Sequence, residues 1–380
     1  MTSNRLIRDS KVKTPVNMPP KPPPAVNVKQ QDYENAEFSL FTRVVDISTV
    51  KTASDFNLAR RSPPQPGFVS YDASFEEILG KYPILTLMEE RDVMFAHEAG
   101  VYINSTDCNY FTSNFQSGHS IQVHSINHSS GEIKECKYDN VVNANGACHY
   151  NDKILFCSQG DLTTPSALVL VDPKTSESKI LLNSFHGREF NSVNDVVIHH
   201  TRDEIWFTDP TYGAIQYFRP PQDLPCQVYR FKPSMGQIWC VADGFVECNG
   251  LCFSPDFSKM YITDTGSVQG PVPDRRKPAT IYVFDVVDDG TRLANRRLFA
   301  YCDNGLPDGI KCDVHGNVYS GCGDGVHVWA PDGLLLGKIY VGSQVANFNF
   351  VKGGMWMMAE QKLFFCSLQA EGALVAVECK

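Results

Sequence analysis

Ile205-Trp206-Phe207-Thr208 decides the fold, because the same short strand returns five more times. It reads polar or apolar, then apolar or aromatic, then apolar, then small or acidic. The other copies are Asn109-Tyr110-Phe111-Thr112, Ile154-Leu155-Phe156-Cys157, Met260-Tyr261-Ile262-Thr263, Val318-Tyr319-Ser320-Gly321 and Leu363-Phe364-Phe365-Cys366. Their second residues, at 110, 155, 206, 261, 319 and 364, are separated by 45, 51, 55, 58 and 45 residues, which are propeller-blade periods. A unit of that length holds about four strands and cannot bury both faces alone, so it gains a core only by packing on neighbours in a closed ring. Short β-rich runs punctuated by Gly, Asp, Asn and Pro fill the intervals, and long amphipathic helical patterns are scarce. The expectation is an all-β, six-bladed β-propeller.

Working outward, the ring starts near Tyr71, and Ala73-Ser74-Phe75-Glu76-Glu77-Ile78-Leu79 is the segment expected to join the last blade and close it. Ahead of it, six prolines fall between Pro15 and Pro24, and Pro63, Pro64 and Pro66 follow. The chain therefore divides into a Pro-rich N-terminal extension, residues 1–68, and the propeller, residues 69–380.

Composition narrows the function. Of the 380 residues 42% are hydrophobic, which excludes wholesale disorder. Acidic residues outnumber basic ones by 43 to 34 with no Lys/Arg block, so nucleic acid is not the expected partner. Apolar runs such as Ala167 to Val171 fall short of the roughly 18 residues a membrane-spanning helix needs. The first residues lack the apolar segment of about 7 to 15 residues of a secretory signal, so a reducing, cytoplasmic compartment is expected. Thirteen cysteines, an odd number often placed inside strand-like runs, read as buried free thiols. Cys248 and Cys252 have no second pair at zinc-finger spacing, so no thiolate zinc motif is read. The expected partner is a small-molecule substrate, and a closed ring is self-sufficient as a monomer.

The repeat also serves as a ruler. Twelve residues before the markers at 110, 206 and 261 stand Glu98, Asn194 and Asn249, and eleven before 319 stands Asp308. Each is an oxygen donor in a turn-like context just ahead of an inner strand, where a propeller rings its central tunnel. Two carboxylates with two amide carbonyls match a hard divalent cation, Ca²⁺ best, with Mg²⁺ or Mn²⁺ as alternatives. The second blade's equivalent is Asn143, while Lys352 breaks the pattern in the sixth, where Asn347 or Asn349 is left to line the mouth. Asn and Asp also recur in turns for purely structural reasons, but here the residue changes from Glu to Asn to Asp while donor character persists.

Several segments resemble the SMP-30/gluconolactonase family, and most closely its fungal lactonohydrolase branch. They are Phe190-Asn191-Ser192-Val193-Asn194-Asp195-Val196-Val197, Ile205-Trp206-Phe207-Thr208-Asp209-Pro210-Thr211-Tyr212-Gly213, Asn249-Gly250-Leu251-Cys252-Phe253-Ser254-Pro255-Asp256 and Pro307-Asp308-Gly309-Ile310-Lys311-Cys312-Asp313. The similarity runs from about residue 70 to the C-terminus. It implies a six-bladed propeller and metal-dependent hydrolysis of a small lactone or cyclic ester, in fungal secondary metabolism. It further implies Glu98, Asn194, Asn249 and Asp308 as metal ligands, with Glu98 and Asp308 catalytic and Asp308 the general base. Asn194, Asn145, His149 and Tyr212 are the expected substrate contacts, and His97 or His149 is a candidate proton carrier.

The sequence departs from that branch at Val193 and Cys248, where relatives commonly carry Pro, and over Asn143 to Tyr150. Those departures keep open a lactonase-like pathway cyclase, of the kind of the hetero-Diels-Alderases of tropolonic sesquiterpenoid formation. In that reading Phe115, Tyr212 or Phe348 at the mouth would orient an apolar substrate.

Overall fold

The computed structural model describes residues 65–269 and 273–374, preceded by the backbone of Glu37–Phe38 and Thr42–Val44. The Pro15 to Pro24 run lies outside the described residues.

Six sheets, antiparallel throughout except where Thr42–Val44 pairs parallel with Gly67–Ser70, are arranged as the blades of a propeller. From the innermost strand outward, the first blade is Glu98–Ile103, Cys108–Thr112, Val123–Asn127 and Ile133–Cys136. The second is Ala144–Tyr150, Lys153–Ser158, Ala167–Val171 and Ser178–Leu182. The third is Val196–His199, Glu204–Asp209, Gln227–Lys232 and Gln237–Ala242. The fourth is Cys248–Phe253, Lys259–Asp264, Thr280–Val287 and Arg292–Tyr301. The fifth is Ile310–Cys312, Val318–Cys322, Gly325–Trp329 and Leu335–Tyr340, with Gly67–Ser70 and then Thr42–Val44 added at its rim. The sixth is Asn347–Val351, Gly354–Ala359, Lys362–Ser367 and Ile84–Glu90, with Glu37–Phe38 beyond.

The second strands are buried on both faces, as in Glu204–Asp209, and the outer strands carry the exposed charge, as in Arg292–Tyr301. What holds the ring is the packing between blades. Among the described residues each of the six seams has its own apolar cluster, such as Leu155, Phe190, Phe207 and Tyr229 between the second and third blades. Fully buried rings such as Trp206, Tyr261, Tyr319 and Trp356 recur around the circle, each contributing about 2 to 3 kcal/mol of burial.

Three expectations are corrected. The sixth copy, around Phe364, lies in the third strand of its blade, and the true counterpart of Tyr319 is Trp356 in Gly354–Ala359. Successive strands share the period-two pattern, so alternation alone does not rank them. The closing strand is Ile84–Glu90, paired with Lys362–Ser367, and the segment assigned to closure is instead the helix Ser74–Leu79. Asp72 Oδ1 accepts from the Ser74 amide at 2.9 Å and its hydroxyl at 2.7 Å, and Phe75, Ile78 and Leu79 fall on one helical face in the seam of the fifth and sixth blades. Phe348 is fully buried in that same seam and does not reach the mouth.

Every described cysteine is a free thiol. No described helix is long and apolar enough to cross a membrane.

Candidate metal centre and substrate chamber

At one end of the tunnel a chamber is walled by the leading ends of the inner strands. Glu98, Asn194, Asn249 and Asp308 all line it, together with Asn145, Tyr212 and His97. Local backbone devices aim these side chains. Glu98 precedes Ala99 at φ 68° and Gly100 at φ 80°, a bulge where the pairing with the second strand shifts register and the chain bends. A similar shift between Cys248 and Leu251 places Asn249.

A second device links neighbouring blades. Asn145, Asn249 and Asp308 are each followed by glycine, and each glycine lies against the next blade at its donor position or the residue after it: Gly146 on the Asn194 backbone, Gly250 on the Asp308 carbonyl, Gly309 on the Asn347 side chain. A Cβ at any of the three would overlap those atoms. The donors therefore converge because their neighbours lack side chains.

The donor set fits a cation. Glu98 is 1% exposed, and its Oε2 accepts from Asn347 Nδ2 at 2.7 Å. Asn194 Oδ1, Asn249 Oδ1 and Asp308 Oδ1 are all buried with no hydrogen-bond partner, a costly state for polar oxygens unless something else engages them. Burial first, and then repulsion from Glu98, raises the Asp308 carboxyl well above its ordinary range, a penalty that a cation between them would offset. Asn249 Nδ2 donates to Tyr212 Oη at 3.2 Å, and that phenol pairs closely with the Thr265 hydroxyl. Burial, and next the charge of Glu247, keeps Tyr212 protonated.

His97 is held by Glu360, Nδ1 to Oε1 at 2.8 Å, and Asn114 Nδ2 binds the other carboxylate oxygen at 2.9 Å. Burial opposes charge on this imidazole, yet Glu360, with Glu98 and Asp308 behind it, holds its pKa up at about 9. Deeper in the tunnel, burial lifts Asp195 to about 6 against the pull of Lys311.

Some residues are placed elsewhere. His149 lines a separate, more apolar cavity at the far end of the tunnel with Asn349, Cys148 and Leu374. In the second blade Asn145 faces the chamber, whereas Asn143, at φ 48°, is engaged by the Ile121 amide and the Gly160 carbonyl. In the sixth blade the position equivalent to Asp308 is Ala346, whose amide bonds the Met358 carbonyl as Asp308 bonds Gly321, so no donor stands there and Lys352 plays no part. Gln159, Gln216 and Gln344 also line the chamber and were not singled out from sequence, nor was Glu360, whose pairing with His97 spans 263 residues.

Residues 119–369 match the family model described as the SMP-30/Gluconolactonase/LRE-like region. A lactonohydrolase of Aspergillus oryzae (oryL) is 31% identical over 329 residues, covering 78% of this chain and 74% of that protein. A gluconolactonase of Zymomonas mobilis is 32% identical over 185 residues, 46% of this chain and 48% of the relative. A solved gluconolactonase from Xanthomonas campestris superposes with a TM-score of 0.66 at 24% identity, covering 82% of this chain and 99% of that one. By family match and by fold, the chain belongs to the SMP-30/gluconolactonase/LRE-like family.

Proposed function

We propose that the chain is a metal-dependent hydrolase of a small lactone or cyclic ester, working in the chamber where Glu98, Asn194, Asn249 and Asp308 converge. The observation that carries this reading is the trio of buried, unpartnered oxygens on Asn194, Asn249 and Asp308 beside the Glu98 carboxylate. The names of the related lactonohydrolase and gluconolactonase agree with it.

Those four residues would hold the ion, and two carboxylates with two amide oxygens suit Ca²⁺ best, Mg²⁺ or Mn²⁺ next. When bound, it supplies electrophilic polarisation of the lactone carbonyl. Asp308 takes a proton from the attacking water and returns it to the ring oxygen as the C–O bond breaks, so the product is the hydroxy acid. Asn145 and Tyr212 hydrogen-bond the substrate's oxygens, and His97, fixed by Glu360, keeps a positive charge at the chamber wall. Phe115, Ile121, Val268 and Leu306 give the otherwise polar chamber an apolar part of its lining, which suits a lactone bearing a hydrocarbon substituent, as in secondary metabolism. A cytoplasmic monomer is part of the proposal.

The test is to measure bound metal, then assay a lactone panel before and after EDTA and after adding back Ca²⁺, Mg²⁺ or Mn²⁺. Ring opening that disappears with EDTA and returns with one ion is expected, and Asp308→Asn should lower kcat by about 100-fold or more. Full activity after thorough chelation would overturn the metal-dependent reading.

The aromatic pair at the chamber, Phe115 on Phe218 with ring centroids 4.8 Å apart, favours a second reading as a lactonase-like cyclase. A metal-loaded protein inert on every lactone, yet altering the products of a reactive diene and alkene pair, would move the assignment to it.

A further inference from the structure

Far around the ring from Glu98, at the seam of the fourth and fifth blades, two turns face each other. Cys302-Asp303-Asn304-Gly305 leaves the outer strand of the fourth blade, and Cys322-Gly323-Asp324-Gly325 joins two strands of the fifth. The Gly323 amide donates to the Asn304 carbonyl at 2.9 Å. Gly305 and Gly323 approach so closely that a Cβ on either would stand 2.6 to 2.8 Å from the other's Cα. This double-glycine contact brings one ligand atom each of Cys302, Cys322 and His327 within 4.8 Å of one another, all three buried.

The histidine is oriented in a particular way. Its Nε2 lies 2.6 Å from Asp324 Oδ1, while Nδ1 is buried without a hydrogen-bond partner, the nearest carboxylate oxygen being Asp303 Oδ1 at 3.5 Å. An imidazolium simply bridging two aspartates would close both contacts. A carboxylate on one ring nitrogen, with the imidazole held beside two cysteine sulfurs, is the arrangement of a metal-binding histidine, in which the carboxylate fixes tautomer and ring orientation.

We propose that Cys302, Cys322 and His327 Nδ1 bind a zinc ion, with the Asp303 carboxylate as fourth ligand. Two soft thiolates and an imidazole select zinc over the hard cations that suit the chamber. Zinc–sulfur and zinc–nitrogen bonds of about 2.3 and 2.0 Å require the cluster to draw in by roughly 1 Å, a shift the two turns can make. The charges nearly cancel: two thiolates, Asp303 and Asp324 face the dication and Lys338, whose Nζ is 2.8 Å from Asp303 Oδ1 and 3.2 Å from Asp324 Oδ2. The ion ties the fourth blade to the fifth and anchors the start of the loop whose later residues, Leu306 and Asp308, line the chamber.

The experiment is elemental analysis of the full chain purified from zinc-supplemented cells without chelator, followed by Co²⁺ replacement and absorption spectroscopy. One zinc per chain, and sulfur-to-cobalt charge-transfer bands from the Co²⁺ form, are expected. Glu98→Gln and Asp308→Asn should keep the zinc, which separates this site from the chamber. Cys302→Ser with Cys322→Ser should lose it and the bands, and His327→Gln should lower zinc affinity at least 10-fold in a chelator competition. A folded wild-type chain that holds no zinc, gives no such bands, or carries a Cys302–Cys322 disulfide by mass spectrometry overturns the proposal.

Discussion

His124 is wedged between Phe95 and Phe111, 4% exposed, with Nε2 lacking a partner. Burial, and then the charge of Arg91, press its pKa down to about 4, against a weaker opposing pull from Glu135. The unfolded chain therefore takes up a proton below about pH 6.5 that the folded chain refuses until about pH 4. Stability unaffected by this residue above pH 6.5 should fall through that window by about 2 to 3 kcal/mol, and His124→Leu should remove that part of the fall. Urea titrations at pH 7 and pH 4.5 check it. At this scale the chamber was largely legible. Glu98, Asn194, Asn249 and Asp308 stand at nearly constant offsets from the second strand because a tight turn fixes that distance. His149 and Asn143 were misread for a geometric reason: His149 lies four residues along the inner strand from Asn145, about 13 Å down the tunnel, and Asn143 sits before the strand begins. The cluster of Cys302, Cys322 and His327 was invisible, because no spacing rule joins side chains that two separate blades bring together.

Between single residues and the ring stand the strands and their turns. The glycine after Asn145, Asn249 and Asp308 acts on a neighbouring blade, so it couples elements that are distant in sequence. Gly250→Ala would drive a methyl group into the Asp308 carbonyl. It should cost about 1 to 3 kcal/mol in urea unfolding and weaken metal binding in the chamber, although Gly250 itself supplies no ligand atom. Unchanged stability would mean the inner strands can separate freely. The Ser74–Leu79 helix was misread because one and a half turns give too few residues to distinguish its pattern from a strand's. The signal was nonetheless there, in Asp72 two residues ahead of Ser74 and in the spacing of Phe75, Ile78 and Leu79. Phe75 also fills the space against Gly337, where no side chain could stand, and Phe75→Ala should lower stability by about 3 to 5 kcal/mol.

For the whole molecule, the count of blades followed from periodicity, and the way the circle is sealed did not. Any apolar alternation near the start of the ring could have supplied the last strand, and Ile84–Glu90 does so by its pairing with Lys362–Ser367. Replacing Ile84–Glu90 with a Gly/Ser linker of equal length would leave that partner as a bare edge. Size-exclusion chromatography should then show dimers and larger aggregates, and a monodisperse monomer would contradict this account of closure. The seal also sets a timetable for biosynthesis. Ile84 and Ser367 are partners separated by 283 positions, so the N-terminal strand leaves the ribosome long before its mate exists. Until the sixth blade is translated, the nascent chain carries one unmatched strand at each end of an open arc. The need for chaperones therefore lasts until the strand Lys362–Ser367 has emerged and paired with Ile84–Glu90.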